Sequence, residues 1–302
     1  MTEECRESRD DTVSHVTVSR ENEGMRLDLF LAERFPDVSR SLLQRHIREG
    51  AVTLNDKPCR PADSVQTNDA VRICWPEETP GTELEPEKVA FDILYEDDAI
   101  LVINKPPDLV VHPAEGNWQG TLVHGLVFYD PKRFADFGDG EMRPGIVHRL
   151  DKNTSGAMVI AKSPEARSTL KAAFKQRNVE KTYLALVIGE FGTITGRIEK
   201  PIGRNPRHRM KMAALEEGGK PAVTRYRVLG TAQGISLVQV QIETGRTHQI
   251  RVHFAHLRHP VLGDTLYGGR PKSAPLSPTR QMLHAWKLAF PHPVSGVMRE
   301  YM

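Results

Sequence analysis

Cysteine is scarce in this 302-residue chain: Cys5, Cys59 and Cys74 are the whole complement. Three scattered thiols make neither a disulfide framework nor a zinc knuckle. Long apolar runs are missing too, since nothing approaches the roughly 18 to 20 consecutive apolar residues of a bilayer span. The opening, Met1 to Asp11, is acidic and polar with no apolar centre. A secretory signal is therefore not expected, and the protein is placed in the cytoplasm with no membrane partner. There is no glycine-rich phosphate loop, no internal repeat and no low-complexity segment. What remains is an ordinary globular mixture, 39% hydrophobic and 26% charged, long enough for two domains.

The net charge of +2 conceals an uneven distribution. Residues 1–90 carry 12 Lys and Arg against 19 Asp and Glu, a net of −7, whereas residues 143–302 carry 26 against 10, a net of +16. So basic a half has two explanations, a polyanionic partner such as nucleic acid or a merely solvated cationic surface. Even the acidic half holds a basic cluster, Arg40, Arg45, His46 and Arg48.

Residues 1–12 read as a disordered polar tail. His15 to Val18 is a short strand candidate, followed by a helix with Leu27, Phe30, Leu31 and Phe35 at helical spacing. Ser39 is a plausible N-cap for a second helix, Arg40 to Glu49, with Leu42, Leu43 and Ile47 inward and Gly50 just past its end. Val52–Leu54, the turn Asn55-Asp56 and Val71–Ile73 complete a small unit over residues 13–75. Residues 76–90, rich in Pro, Glu, Thr and Gly, read as a linker. The rest, residues 91–302, offers strands at Ile100–Ile103, Ala157–Ala161, Thr182–Ile188, Val223–Leu229 and Leu237–Ile242, with a helix from Ser163-Pro164 through Phe174. Strands outnumber helices and do not alternate with them. The expected fold class is therefore α+β, with a largely antiparallel mixed sheet behind a small N-terminal αα-β unit.

Two stretches could carry chemistry. In His148-Arg149-Leu150-Asp151-Lys152-Asn153-Thr154-Ser155-Gly156 an aspartate sits where a rigid loop can reach into a cleft, although Asp-Lys-Asn also simply ends strands as an Asx turn. In Thr244-Gly245-Arg246-Thr247-His248-Gln249-Ile250-Arg251 a strand turns into a helix that buries Ile250, Phe254 and Leu257. Arg246 falls at that corner, where a guanidinium could hold a buried aspartate ionised or could lie on the surface. His248, His253, His256 and His259 invite a metal reading, but no cysteine or carboxylate joins them and no metal is expected. Tyr183 alternates with Ala185 and Val187 and reads on pattern alone as core. Arg204, Arg207, His208, Arg209 and Lys211 form a dense basic run in a Pro- and Gly-flanked loop, either solvated or in contact with phosphates.

Taken together, these stretches resemble the RluA-type pseudouridine synthases of ribosomal RNA. The matching pieces stand in the family's order: Ile103-Asn104-Lys105-Pro106, His148-Arg149-Leu150-Asp151 with Thr154-Ser155-Gly156, Lys181-Thr182-Tyr183, Pro201-Ile202-Gly203, Thr244 to Arg251, Leu262-Gly263-Asp264 with Tyr267-Gly268, and Leu283-His284-Ala285. Residues 16–73 resemble an S4 RNA-binding module through Arg26-Leu27-Asp28, Ser39-Arg40-Ser41, Ile47 and Gly50. Two positions depart from the pattern: Asp108 and Asn68 stand where glycine would be usual.

The resemblance implies a cofactor-independent isomerase that converts uridine to pseudouridine, with RNA as partner and large-subunit ribosomal RNA as the expected substrate. It puts Asp151 on the catalytic aspartate and Tyr183 on the tyrosine that stacks on the target base. Arg246 falls on the arginine paired with the catalytic carboxylate, and Arg149 on the arginine that fills the space of the extruded nucleotide. Leu283 falls on the apolar wall under the uracil. The family favours a glycal intermediate over attack at C1′. Arg40, Arg45 and Arg48 on the second S4 helix, and Arg204, Arg207, Arg209 and Lys211 in the basic loop, become RNA-binding candidates. The competing readings are a non-catalytic RNA-binding or ribosome-assembly factor and a synthase acting on transfer RNA.

Overall fold

The computed structural model describes residues 13–36, 38, 40–75, 84–114, 116–135, 137, 143–208, 211–269, 276 and 278–302. The expected tail (1–12), the Ser39 cap, the first part of the linker and Arg209 lie outside the described residues.

The chain divides into two compact units. In the first, β1 (Val13–Thr17) is followed by α1 (Leu27–Arg34), α2 (Arg40–Arg48), β2 (Val52–Leu54), β3 (Lys57–Pro58) and β4 (Ala70–Cys74). The strands form an antiparallel sheet in the order β1-β4-β2-β3. Leu27, Phe30 and Leu31 of α1 meet Leu43 and Ile47 of α2 over Val52, Val71 and Ile73, all buried. Asn55 and Asp56 at φ of 52° and 60° make the two-residue turn of the β2–β3 hairpin, a conformation that short polar side chains tolerate. Asn68, the departure from glycine, has φ of 69°: asparagine here takes up the left-handed backbone that the pattern usually assigns to glycine.

The second unit starts at Leu84, inside the expected linker. Leu84, Val89 and Phe91 pack on its core, and Glu87 accepts the Gly120 amide at 3.0 Å, so residues 84–90 belong to this unit. Its elements are β5 (Asp92–Glu96), β6 (Ile100–Lys105), α3 (Leu122–Tyr129), α4 (Pro131–Phe134), β7 (Ser155–Ala161), α5 (Pro164–Gln176), β8 (Glu180–Ile188), β9 (Thr195–Glu199), β10 (Ile202–Arg204), β11 (Met212–Ala214), β12 (Val223–Ala232), β13 (Ile235–Ile242), α6 (Gln249–His256), β14 (Leu283–Pro291) and β15 (Met298–Tyr301). Along the large sheet the order is β5-β6-β7-β14-β8-β13-β12-β9, with β15 on β14. Among the described pairs only β7–β14 is parallel, which makes the sheet mixed and largely antiparallel as expected. Strand β7 is buried along its whole length at the centre of the sheet.

At the start of β7, Gly156 has φ of 119°, and a Cβ there would meet the Ala285 carbonyl at 2.2 Å. Glycine lets β14 close against β7 immediately after the Asp151 turn. Helix α5 begins at the Ser163 cap, whose hydroxyl accepts the Ala166 amide at 3.2 Å, and ends in left-handed Arg177. A separate hairpin, β10–β11, carries the basic loop between its strands and packs by Ile202, Met212 and Ala214 against Val252 of α6 and Tyr267.

Candidate active site

A cleft of about 560 Å³ opens where the residues before β7, the β8 strand and the β13–α6 corner meet. Asp151, Arg149, Tyr183, Arg246 and Leu283 all line it. Six cationic residues face it (Arg149, Lys175, Arg177, Lys181, Arg246 and Arg251) against Asp151 and Glu243. Such a lining suits a polyanion.

The turn that presents Asp151 is held from below. Its carbonyl accepts the Thr154 amide at 3.0 Å. The fully buried Lys105 donates to the carbonyls of Pro106, Leu109 and Lys152 at 2.7, 2.8 and 3.0 Å, tying the Asn-Lys-Pro loop to the residue after Asp151. Burial pulls Lys105 down to about 8, partly opposed by the charge of Asp151. In the same loop Asp108, the second departure from glycine, sits at φ of 63° and keeps the left-handed turn. His148 is half-buried and stacks on Phe174, ring to ring at 4.7 Å, and its Nε2 accepts the Val159 amide at 3.1 Å. Burial, with Lys181 nearby, drops it to about 3, so it is a neutral prop for β7.

The guanidinium on Asp151 is not Arg246, which corrects the expected pairing. Arg251 Nη1 donates to Asp151 Oδ2 at 2.9 Å. Arg246 instead turns its Nε to the Pro221 carbonyl at 3.0 Å. Arg251 is itself gripped on its other edge by Asp264, Nε to Oδ2 at 2.6 Å and Nη2 to Oδ1 at 3.0 Å, a bidentate pair that fixes the plane of the fork. Burial works against its charge, but the bonds to Asp264 and the charge of Asp151 outweigh it and raise its pKa. Asp264 is 1% exposed and also accepts the amides of Leu266 and Tyr267.

The α6 corner is stapled by Gln249. Its side-chain oxygen accepts from Thr244 Oγ1 at 2.7 Å and the Arg246 amide at 3.0 Å, and its nitrogen donates to the Val223 carbonyl and Thr224 Oγ1. His248 precedes the helix in left-handed conformation, φ 56°, with Nε2 3.9 Å from Asp151 Oδ2. Tyr183 is 9% exposed on β8; burial and the charge of Asp151 push its phenol upward, so it presents a neutral ring. Leu283, 5% exposed, pairs with Ala185 on the adjacent strand.

The four histidines do not converge. His253 is buried between Thr224 Oγ1 and the Lys200 carbonyl, His259 bonds the Ile188 carbonyl, His256 is exposed and His248 faces the cleft. Among the described residues no group of three or more His, Cys, Asp and Glu is placed to hold a metal ion. No helix of the described residues is long and apolar enough to cross a membrane.

In the first unit, Arg40 has an internal partner: with Arg26 and Gln44 it bonds the fully buried Asp28, at 2.8 Å from Arg40 Nη2. Arg45 lies 4.0 Å from Glu49, and Arg48 bonds Gln44 at 3.2 Å. In the hairpin, Asn205 accepts the amides of Arg207 and His208, shaping the loop that exposes Arg204 and Arg207. Lys211 is half-buried.

Gln249, Arg251, Asp264 and Tyr267 were not singled out from the sequence as site residues. Their signal was the spacing Gln249-x-Arg251 within one helix turn, followed by Asp264-x-x-Tyr267.

A family model described as RNA pseudouridylate synthase matches residues 99–256, and an S4 domain model matches residues 25–71. The "Ribosomal large subunit pseudouridine synthase D" of Neisseria meningitidis serogroup A is 45% identical over 289 residues, 93% of this chain and 76% of its own length. The protein of that name from Escherichia coli K12 is 43% identical, over 94% of this chain and 88% of its own. Among solved structures, "Human RNA Pseudouridylate Synthase Domain Containing 1" is 32% identical with a TM-score of 0.58, covering 70% of this chain and 83% of that one. The chain belongs to the RNA pseudouridylate synthase family, enzymes that isomerise uridine in RNA, and carries an S4 domain ahead of the catalytic unit.

Proposed function

We propose that this enzyme converts uridine to pseudouridine in large-subunit ribosomal RNA, with Asp151 as the catalytic carboxylate. The observation that carries the reading is the Asp151–Arg251–Asp264 chain at the base of a cationic cleft beside Tyr183 and Leu283. In the reaction the N1–C1′ bond breaks, the uracil turns, and a C5–C1′ bond forms; the C5 proton is lost and N1 gains one. Asp151 is the base or nucleophile at the sugar; Arg251 engages its Oδ2, and none of its described hydrogen bonds falls on Oδ1. Unstacking the target base costs a few kcal/mol. Stacking on Tyr183, an apolar wall at Leu283 and Arg149 in the vacated space would offset that cost. Arg246 contributes a cation at the rim.

Arg45 and Arg48 of the S4 domain, and Arg204, Arg207, Arg209 and Lys211 of the hairpin loop, are proposed to hold RNA phosphates. Arg40 is assigned to the frame of the S4 domain, because its fork is on Asp28. The names of the relatives favour the large ribosomal subunit as substrate source, and a ribosomal substrate would put the enzyme in the cytoplasm.

Tritium release from RNA labelled at uridine C5 tests the proposal. Release is expected from large-subunit ribosomal RNA and not from transfer RNA. Asp151→Ala should abolish it while RNA binding survives; near-wild-type release would remove Asp151 from the mechanism.

A further inference from the structure

Tyr267 touches both groups that face the carboxylate. Its ring lies under the Arg251 guanidinium, 5.1 Å from carbon to ring centre, and edge-on to His248 at 5.6 Å. Its hydroxyl is 2.9 Å from the Met212 amide on β11 and 2.8 Å from His248 Nδ1. A backbone amide can only donate, so the tyrosine oxygen accepts from Met212 and its single hydrogen is available to His248 Nδ1. With that hydrogen given to Nδ1, the hydrogen of the neutral ring sits on Nε2, the nitrogen that faces Asp151 Oδ2 at 3.9 Å. In that tautomer an N–H, not a lone pair, is turned to the carboxylate.

We propose that Tyr267 is a positioning residue for the isomerisation: it fixes the His248 tautomer and the Arg251 plane, so that both direct donors at Asp151. The proposal rests on the reading of Asp151 as the catalytic group. It also gives the β10–β11 hairpin a part in the chemistry, since the amide that sets the direction of the tyrosine hydrogen belongs to Met212, adjoining the basic loop. The hairpin and α6 share one small core of Ile202, Met212, Ala214, Val252 and Tyr267. Displacement of the hairpin would therefore reach His248 through a single hydroxyl.

The charged and titratable groups around His248 are Asp151, Asp264, Arg251, Arg149 and Tyr267 itself. Burial and the two arginines hold His248 below its ordinary value, and the two aspartates pull it back up. A donor on Nδ1 favours the neutral ring, so its removal lets His248 ionise at higher pH.

The experiment compares Tyr267→Phe, Tyr267→Leu, His248→Gln and the Tyr267→Phe/His248→Gln double variant in single-turnover tritium release, with RNA affinity measured separately. Tyr267→Phe keeps the ring under Arg251. It is expected to slow the step about tenfold, less than the roughly 100-fold of a full ångström of misplacement, without changing RNA affinity. Its acidic limb should move to higher pH. Tyr267→Leu should be slower still. In the His248→Gln background, where no tautomer exists, Tyr267→Phe should add nothing. Nitrogen-15 spectra of labelled histidine should show the Nε2–H form of His248 in the parent and a mixture in Tyr267→Phe. An unchanged rate and pH profile in Tyr267→Phe, or an additive double variant, overturns the proposal. Asp151→Ala in the same assay separates the failures: if it turns over, the reading of Asp151 fails; if it is inactive and Tyr267→Phe is normal, only the role of Tyr267 fails.

Discussion

Asp28 and Asp151 are both met by arginines, and they are finished differently. Asp28 in the S4 domain is fully buried and bonded by Arg26, Arg40 and Gln44 across both oxygens. Asp151 keeps 21% of its side chain exposed, and its described hydrogen bonds fall on Oδ2 alone, from one arginine. The first is a closed knot between two helices. The second is anchored by one edge, and the anchoring is done at one remove, by an Arg251 that Asp264 already holds rigid. A carboxylate surrounded by donors is structural, whereas one held by a single clamped cation stays open to a substrate.

The contrast can be broken most forcefully at Arg251. Arg251→Met leaves Asp264 buried with no counter-ion, a defect of about 3–5 kcal/mol. Both thermal stability and tritium release should collapse, whereas Arg246→Ala should leave the melting temperature near the parent value. Equal losses from the two variants would dissolve the distinction between them.

Next in size is the stacking face. Tyr183→Phe should retain turnover and Tyr183→Ala should lose it, as read by single-turnover release; loss in both would assign the work to the hydroxyl. At Asp28 the effect should fall on folding instead. Burial works against its charge, but the bonds from Arg26, Arg40 and Gln44 outweigh it and hold its carboxyl well below the ordinary 3.8. Because the folded value is the lower one, the stabilisation is complete above the unfolded value and fades as the pH falls below it. S4-domain melting followed from pH 6 to pH 3 should show this loss, and Asp28→Asn should flatten it. The smallest effects belong to the loop cations. Arg207→Ala or Arg48→Ala should weaken RNA binding modestly and lower the slope of log affinity against log salt by about 0.7–0.9 each. A slope that does not change would place that residue off the RNA.

Much of this was legible beforehand, for identifiable reasons. Strands such as β7 and β13 announced themselves by apolar runs and alternation, and α5 by its Ser-Pro start. Strands β5, β14 and β15 were not singled out: Ile93 and Leu94 of β5 are exposed, and β14 breaks alternation where its register shifts between Ala285 and Lys287. Asp151 and Tyr183 line the cleft from a tight turn and a strand whose direction local sequence sets, and Leu283 lines it from the start of β14. Arg251 was missed because it adjoins Ile250 on α6, beside the apolar stripe, where a helix with one buried face would send it to solvent. Here Arg251, Val252 and His253 are buried as well, since the sheet covers one side of α6 and the β10–β11 hairpin the other.

By itself, then, the sequence showed the family and the mixed sheet and marked the motif that carries Asp151, because these follow from contiguous motifs and short-period patterns. Which arginine holds that aspartate, which histidine faces it and which tyrosine orients them was decided only when β7, α6 and the loop after α6 came together. Those contacts join residues about 100 apart in the chain, such as Asp151 and Arg251. Their geometry depends on what each helix face meets, and no local pattern encodes that.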